Sequence, residues 1–146
     1  MVLKTIEYNS PEYKQMVSLR QKILRTPLGL RFSEEDLMKD KGDILCACFD
    51  HAGTITGCCI LTPINSETAR LRQMAIDSNL QNAGVGSKLL AFAEDTASRK
   101  GFHTITLHAR MTAVNFYRKN GYSAYGEVFT EVGISHIGMR KDIIQI

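Results

Sequence analysis

What this chain does not contain excludes several kinds of protein. No window of it approaches the length of a membrane span, and the N-terminal MVLKTIEYNS is too polar for a signal peptide. None of the four cysteines (Cys46, Cys48, Cys58 and Cys59) stands at C-x-x-C spacing, and no histidine pair stands at finger spacing. That argues against zinc, and no metal is expected. No charge of one sign dominates: 18 basic against 15 acidic residues leave +3, scattered along the chain. This is too mild for a nucleic-acid or membrane-surface binder. There is no internal repeat, low-complexity tract or linker. With 44% apolar residues, enough for a core of ordinary size, residues 1–146 are expected to form one domain of a soluble, cytoplasmic protein.

What is present alternates between two periodicities. Val2–Tyr8 reads as a strand, and Ser10, Pro11 and Glu12 as the cap, first-turn proline and acidic first turn of a helix. That helix carries Tyr13, Met16, Val17, Arg20, Ile23 and Leu24 at helical spacing and is ended by Pro27. A short helix capped by Ser33 follows, and then strands at Ile44–Asp50, Ile55–Thr62 and Thr68–Ile76. The first two of these form a hairpin. A helix over Gly84–Lys100, a strand over His103–Ala109, a short helix over Ala113–Asn120 and strands at Tyr122–Thr130 and Ile134–Arg140 complete the order. Strands cluster in the middle around one βαβ unit, which makes the fold class mixed α+β. The cysteines fall in two strands and are expected to be small core residues. The alternative is that Cys46 and Cys58 face each other across the hairpin, within reach of a disulfide.

The stretch QNAGVGSKLL, residues 81–90, raises the question of a phosphate. A glycine loop running into a helix start aims free N–H groups and a positive dipole end at an anion. A P-loop would need two glycines five apart followed by Lys and Ser/Thr, and Gly86-Ser87-Lys88 has the wrong order. A dinucleotide fingerprint would need a third glycine where Leu89 stands, so a nucleotide-binding redox domain is disfavoured. Gln81-Asn82-Ala83-Gly84-Val85-Gly86 resembles the acyl-CoA loop, Gln/Arg-x-x-Gly-x-Gly/Ala, of the GCN5-related N-acetyltransferases. About thirty residues on, AVNFYRKNGY resembles that family's second segment at Ala113, Phe116, Tyr117, Gly121 and Tyr122. The tail GEVFTEVGISHIGMRK is similar to its ElaA-like and YjcF-like bacterial subgroup.

The resemblance implies a central, mostly antiparallel sheet with a splayed fourth and fifth strand and flanking helices. It implies acetyl-CoA as cosubstrate, its pyrophosphate held by Gln81, Asn82, Ala83, Gly84, Val85 and Gly86, with Ser87 and Asn115 as further contacts. A side chain at Gly84 or Gly86 is expected to crowd that approach. The pantetheine arm would pair with the backbone of Met74, Ala75 and Ile76, and Tyr117 would protonate the leaving thiolate. Arg110 stands where the family often has asparagine. No general base declares itself: Glu127, Glu131, His108, His136 and water are the candidates. The implied activity is acetyl transfer to a primary amine, on a small molecule or a peptide, by direct attack. A non-catalytic acyl-CoA-binding or sensing module is the alternative. A homodimer through the last strands is compatible with the pattern.

Overall fold

Ser10 closes the turn after the first strand and starts the first helix. Its hydroxyl accepts the Tyr13 N–H at 3.1 Å, and Pro11 sits in the first turn, where no N–H is needed. The computed structural model, which describes residues 1–143, comprises β1 (Val2–Ile6), α1 (Pro11–Arg20), α2 (Glu34–Met38), β2 (Ile44–Phe49), β3 (Ile55–Pro63) and β4 (Thr68–Ile76). These are followed by α3 (Val85–Arg99), β5 (Thr104–Arg110), α4 (Val114–Lys119), β6 (Ser123–Glu131) and β7 (Ile134–Asp142). One seven-stranded sheet runs β1-β2-β3-β4-β5-β7-β6; β4 and β5 are parallel, and the other neighbours antiparallel. This is the mixed, mostly antiparallel architecture with flanking helices that the sequence implies.

Helices cover both faces of the sheet, so β3 is buried along most of its length. On one face Leu89, Leu90 and Ala93 of α3 meet Leu61, Leu71 and Leu107. On the other, Tyr13, Met16 and Leu19 of α1 meet Leu45, Phe49 and Ile60. Each large apolar side chain removed from water in this way contributes about 1.5–3 kcal/mol. Among the described residues no helix is long and apolar enough to cross a membrane.

Three backbone irregularities depart from the regular pattern. First, α1 ends at Arg20 rather than running to Pro27. The chain widens there into an i→i+5 turn over Gln21–Arg25, with the Thr26 N–H donating to the Gln21 carbonyl. A tighter turn, Thr26–Leu28, then closes on Gly29 at φ +69°. Wide turns of this kind redirect the side chains that follow them. Second, the β2–β3 register slips by one residue between Cys48 and Phe49. Cys46 therefore lies opposite Cys59, and Cys58 opposite Ala47, which removes the alternative of a Cys46–Cys58 juxtaposition. All four cysteines are buried free thiols.

Third, β4 bulges between its pairings with Cys58 and Ile60, so that Gln73 and Met74 oppose the single residue Cys59. Gln73 adopts φ +57° to make the bulge. One extra residue exchanges the two faces of a strand. Before the bulge Ala69 and Leu71 face α3; after it Met74 and Ile76 do, and Ala75 turns to the α1 core. Beside the bulge, β4 and β5 pair only from Thr68↔Thr104 to Leu71↔Leu107, although both strands continue. The sheet splits open from that point.

Candidate active site

A cavity of about 1080 Å³ occupies the split between β4 and β5. Its walls include Met74, Ile76, Gln81, Asn82, Gly84 and Gly86. Ser87 and Tyr117 complete the expected residues that face it. Of the others, Ala75 and Val85 are buried in the two cores, and Ala83 and Asn115 are exposed outside the cavity lining.

The loop is built by its backbone. Gly84 sits at φ +82°, Asn82 at φ +68°, and the Gln81 amide donates to the Ile76 carbonyl at 3.2 Å, tying the loop to the end of β4. No side chain caps α3. The N–H groups of Val85, Gly86 and Ser87 therefore have no partner within the helix, and the positive end of a 15-residue helix dipole points the same way. The two glycines are needed for different reasons. Gly84 supplies the left-handed backbone in open space, whereas a Cβ on Gly86 would lie 3.1 Å from the Phe116 ring. Gly86 thus lets Phe116 of α4 approach the start of α3 closely. The sequence reading missed two residues at this junction. Phe116 packs on Gly86, a contact its motif position does not reveal, and Asn120 bridges the helices, donating to Ser87 Oγ at 3.3 Å and to the Phe116 carbonyl at 2.9 Å. Its i, i+4 spacing from Phe116 was the available signal.

Tyr117 lies edge-on between Phe116 and Tyr122, with ring centroids at 5.1 and 5.7 Å. Among the described residues nothing hydrogen-bonds its hydroxyl, which keeps access to the cavity. Burial raises its pKa well above that of an ordinary phenol, with the neighbouring Cys59 adding to the effect. The group stays neutral, and so remains a proton donor, across the physiological range. Tyr122 is occupied otherwise, its hydroxyl donating to Glu94 at 2.8 Å.

Three of the four base candidates converge on the opposite wall. Glu131 Oε1 lies 3.1 Å from His108 Nδ1, and Glu131 Oε2 lies 3.7 Å from His136 Nε2. Arg70 Nη2 reaches the same His108 Nδ1 at 2.8 Å. A guanidinium can only donate and a carboxylate can only accept. His108 Nδ1 therefore either stays bare and takes a hydrogen bond from Arg70, or carries a proton and gives one to Glu131. The cluster has a place for one mobile proton. Glu127 is exposed and stands outside the cavity.

Arg20, Arg72 and Asp43 at the cavity wall belong to an ionic network that the sequence did not suggest. Asp40, fully buried, accepts from Arg20 and Arg72 at 2.6 Å each and from the Tyr13 hydroxyl at 2.7 Å. Arg72 also reaches Asp43 at 2.9 Å, and Arg20 Nε lies 3.4 Å from the side-chain oxygen of Gln73, the bulge residue. Beside Asp40 the Tyr13 hydroxyl has its pKa raised, first by burial and then by the carboxylate. Among the described residues no three metal-ligating side chains converge.

Comparison with known proteins decides the family. Residues 30–143 match the model of the acetyltransferase (GNAT) domain. The chain belongs to the GNAT family. Protein YyaT of Bacillus subtilis (strain 168), an uncharacterised protein, is 32% identical over 80 residues, which are 55% of this chain and 54% of that one. The chain thus spans about half the length of this curated relative. The GNAT fold is seen again in Escherichia coli ElaA, at TM-score 0.82 and 17% identity over 97% of this chain and 99% of that one. An aminoglycoside 6'-N-acetyltransferase complexed with coenzyme A superposes with TM-score 0.80 at 19% identity, covering 100% and 99% of the two chains.

Proposed function

We propose that this GNAT domain transfers acetyl from acetyl-CoA to a primary amine by direct attack. The observation that carries this reading is the convergence of three features on one cavity: the uncapped N-terminus of α3, the unpaired end of β4, and the free hydroxyl of Tyr117. The coenzyme A held by the similar fold supports it. In this reading the N–H groups of the 81–87 loop and helix start hold the pyrophosphate. The backbone at Met74, Ala75 and Ile76 pairs with the pantetheine arm and polarises the thioester carbonyl. The amine lone pair forms the new C–N bond, the carbonyl electrons move onto oxygen, and collapse breaks the C–S bond. Tyr117 gives its proton to the departing thiolate and regains one from solvent. The proton lost by the amine passes to the Glu131–His108 pair, directly or through water.

Residues 1–146 act here as a single catalytic domain. The four buried thiols suit a reducing, cytoplasmic setting. β6 occupies a sheet edge with Tyr125 and Val128 exposed, which suits pairing with a second copy.

Calorimetric titration with acetyl-CoA, with NAD as control, followed by the Tyr117→Phe variant, tests this reading. Saturable binding of acetyl-CoA alone is expected. Tyr117→Phe should keep that affinity while transfer falls by about 10²–10⁴-fold. Unchanged turnover would remove Tyr117 from the chemistry. Binding without transfer to any amine would favour the sensing module.

A further inference from the structure

Two arginines face the cavity without a carboxylate. Arg25 and Arg110 both direct their guanidinium groups at one acceptor, the Leu24 carbonyl, at 3.3 and 3.0 Å. Two cations that share one carbonyl oxygen stand close together and repel. Among the described residues neither forms an ion pair. The acidic groups near them are already engaged. Asp36 accepts the Ser33 N–H at 2.9 Å in the capping box of α2, and Glu131 serves Arg70 and the two histidines. Lys39 adds to the positive lining, while Arg20 and Arg72 are neutralised by Asp40 and Asp43.

The arrangement is held in place. The wide turn after α1 sets Arg25, whose guanidinium lies 4.5 Å above the Phe32 ring, and the end of β5 sets Arg110 opposite it. A stacked guanidinium loses little freedom when its fork engages a carboxylate or phosphate. Burial lowers the pKa of both groups, and for Arg25 the neighbouring charge of Arg110 adds to the effect, while Glu131 opposes it at both.

We infer that the acceptor amine carries an anionic group, a carboxylate or a phosphate, which Arg25 and Arg110 grip together while the amine is presented toward Glu131. This rests on the transferase reading of the cavity and adds the class of its substrate. Polycationic amines would be repelled by the same pair.

The test uses the full chain saturated with coenzyme A, so that the loop at α3 is already filled. Inorganic phosphate is titrated in by calorimetry. Saturable binding is expected, weakened about tenfold or more by Arg110→Gln and again by Arg25→Gln. Transfer from acetyl-CoA is then compared for leucine against leucinamide, and for phosphoethanolamine against ethanolamine, with spermidine as the cationic case. The anionic member of a pair should be preferred, and the variants should erase that preference by raising KM. Whichever pair shows it identifies carboxylate or phosphate as the natural group. Comparing wild type with variant cancels the amines' own basicity. The inference is overturned if phosphate does not bind, if binding and preference survive both substitutions, if spermidine is the better acceptor, or if the variants lose affinity for coenzyme A instead. Failure of coenzyme A to bind at all would overturn the transferase reading itself.

Discussion

Two groups of arginines flank the same cavity and behave oppositely. Arg20 and Arg72 are locked to Asp40 and Asp43 by contacts of 2.6–2.9 Å, and Arg20 and Asp40 are sealed from solvent. Arg25 and Arg110 share only a carbonyl. In the first group charge is satisfied within the protein and serves geometry: it pins α1, the segment after α2 and the β4 bulge to one another. In the second, charge is left unbalanced where a ligand can reach it. An arginine is informative about binding when its counter-charge is missing, and arginine content alone says little.

The largest effect that would break this comparison comes from Asp40. Asp40→Ala leaves Arg20 buried without a counter-ion and should cost about 3–5 kcal/mol in denaturant unfolding. A loss below about 1 kcal/mol would mean that the network is no more than a surface pairing. The open side should behave differently. Val132 sits at φ +47° in the turn before Gly133, a conformation that costs a β-branched residue about 1–2 kcal/mol. Val132→Asn should therefore stabilise by about 1 kcal/mol in the same assay, and destabilisation would show that the Val132 side chain holds the turn. The smallest effect belongs to the open pair. Arg110→Gln should change stability by no more than about 0.5 kcal/mol in either direction, its consequence lying in acceptor binding alone. A loss of several kcal/mol would place Arg110 with the structural group.

The same contrast marks what could be read beforehand. Caps, turns and the glycine loop are local, so Ser10, Ser33 and Gly84 each declared their role within four residues. The motif around Tyr117 placed the candidate acid as well. Asp40 could not be recognised, because its partners lie 20, 27 and 32 residues away. Arg20 was legible only as part of a helical stripe. The β2–β3 slip and the β4 bulge each turn on one extra residue, which hydrophobic alternation does not register, and the first of them moved Cys46 from Cys58 to Cys59. Arg110 was visible as a departure from a family pattern. Only its distance to the Leu24 carbonyl, 86 residues earlier in the chain, gave that departure a meaning.

The unpaired end of β4 has a consequence for how this protein can change over time. A sheet margin lying inside the molecule offers amide and carbonyl groups, which every residue except proline carries in the same form. A partner that pairs there through the backbone does not read the identities of Met74, Ala75 or Ile76. Those side chains are held by the cores and the cavity wall, so substitutions that respect volume can accumulate there without altering what the edge offers, whereas Gln73 is constrained by its φ of +57° and its contact with Arg20. Proline at these positions is the exception: it would delete a donor from the one surface that drift otherwise leaves intact.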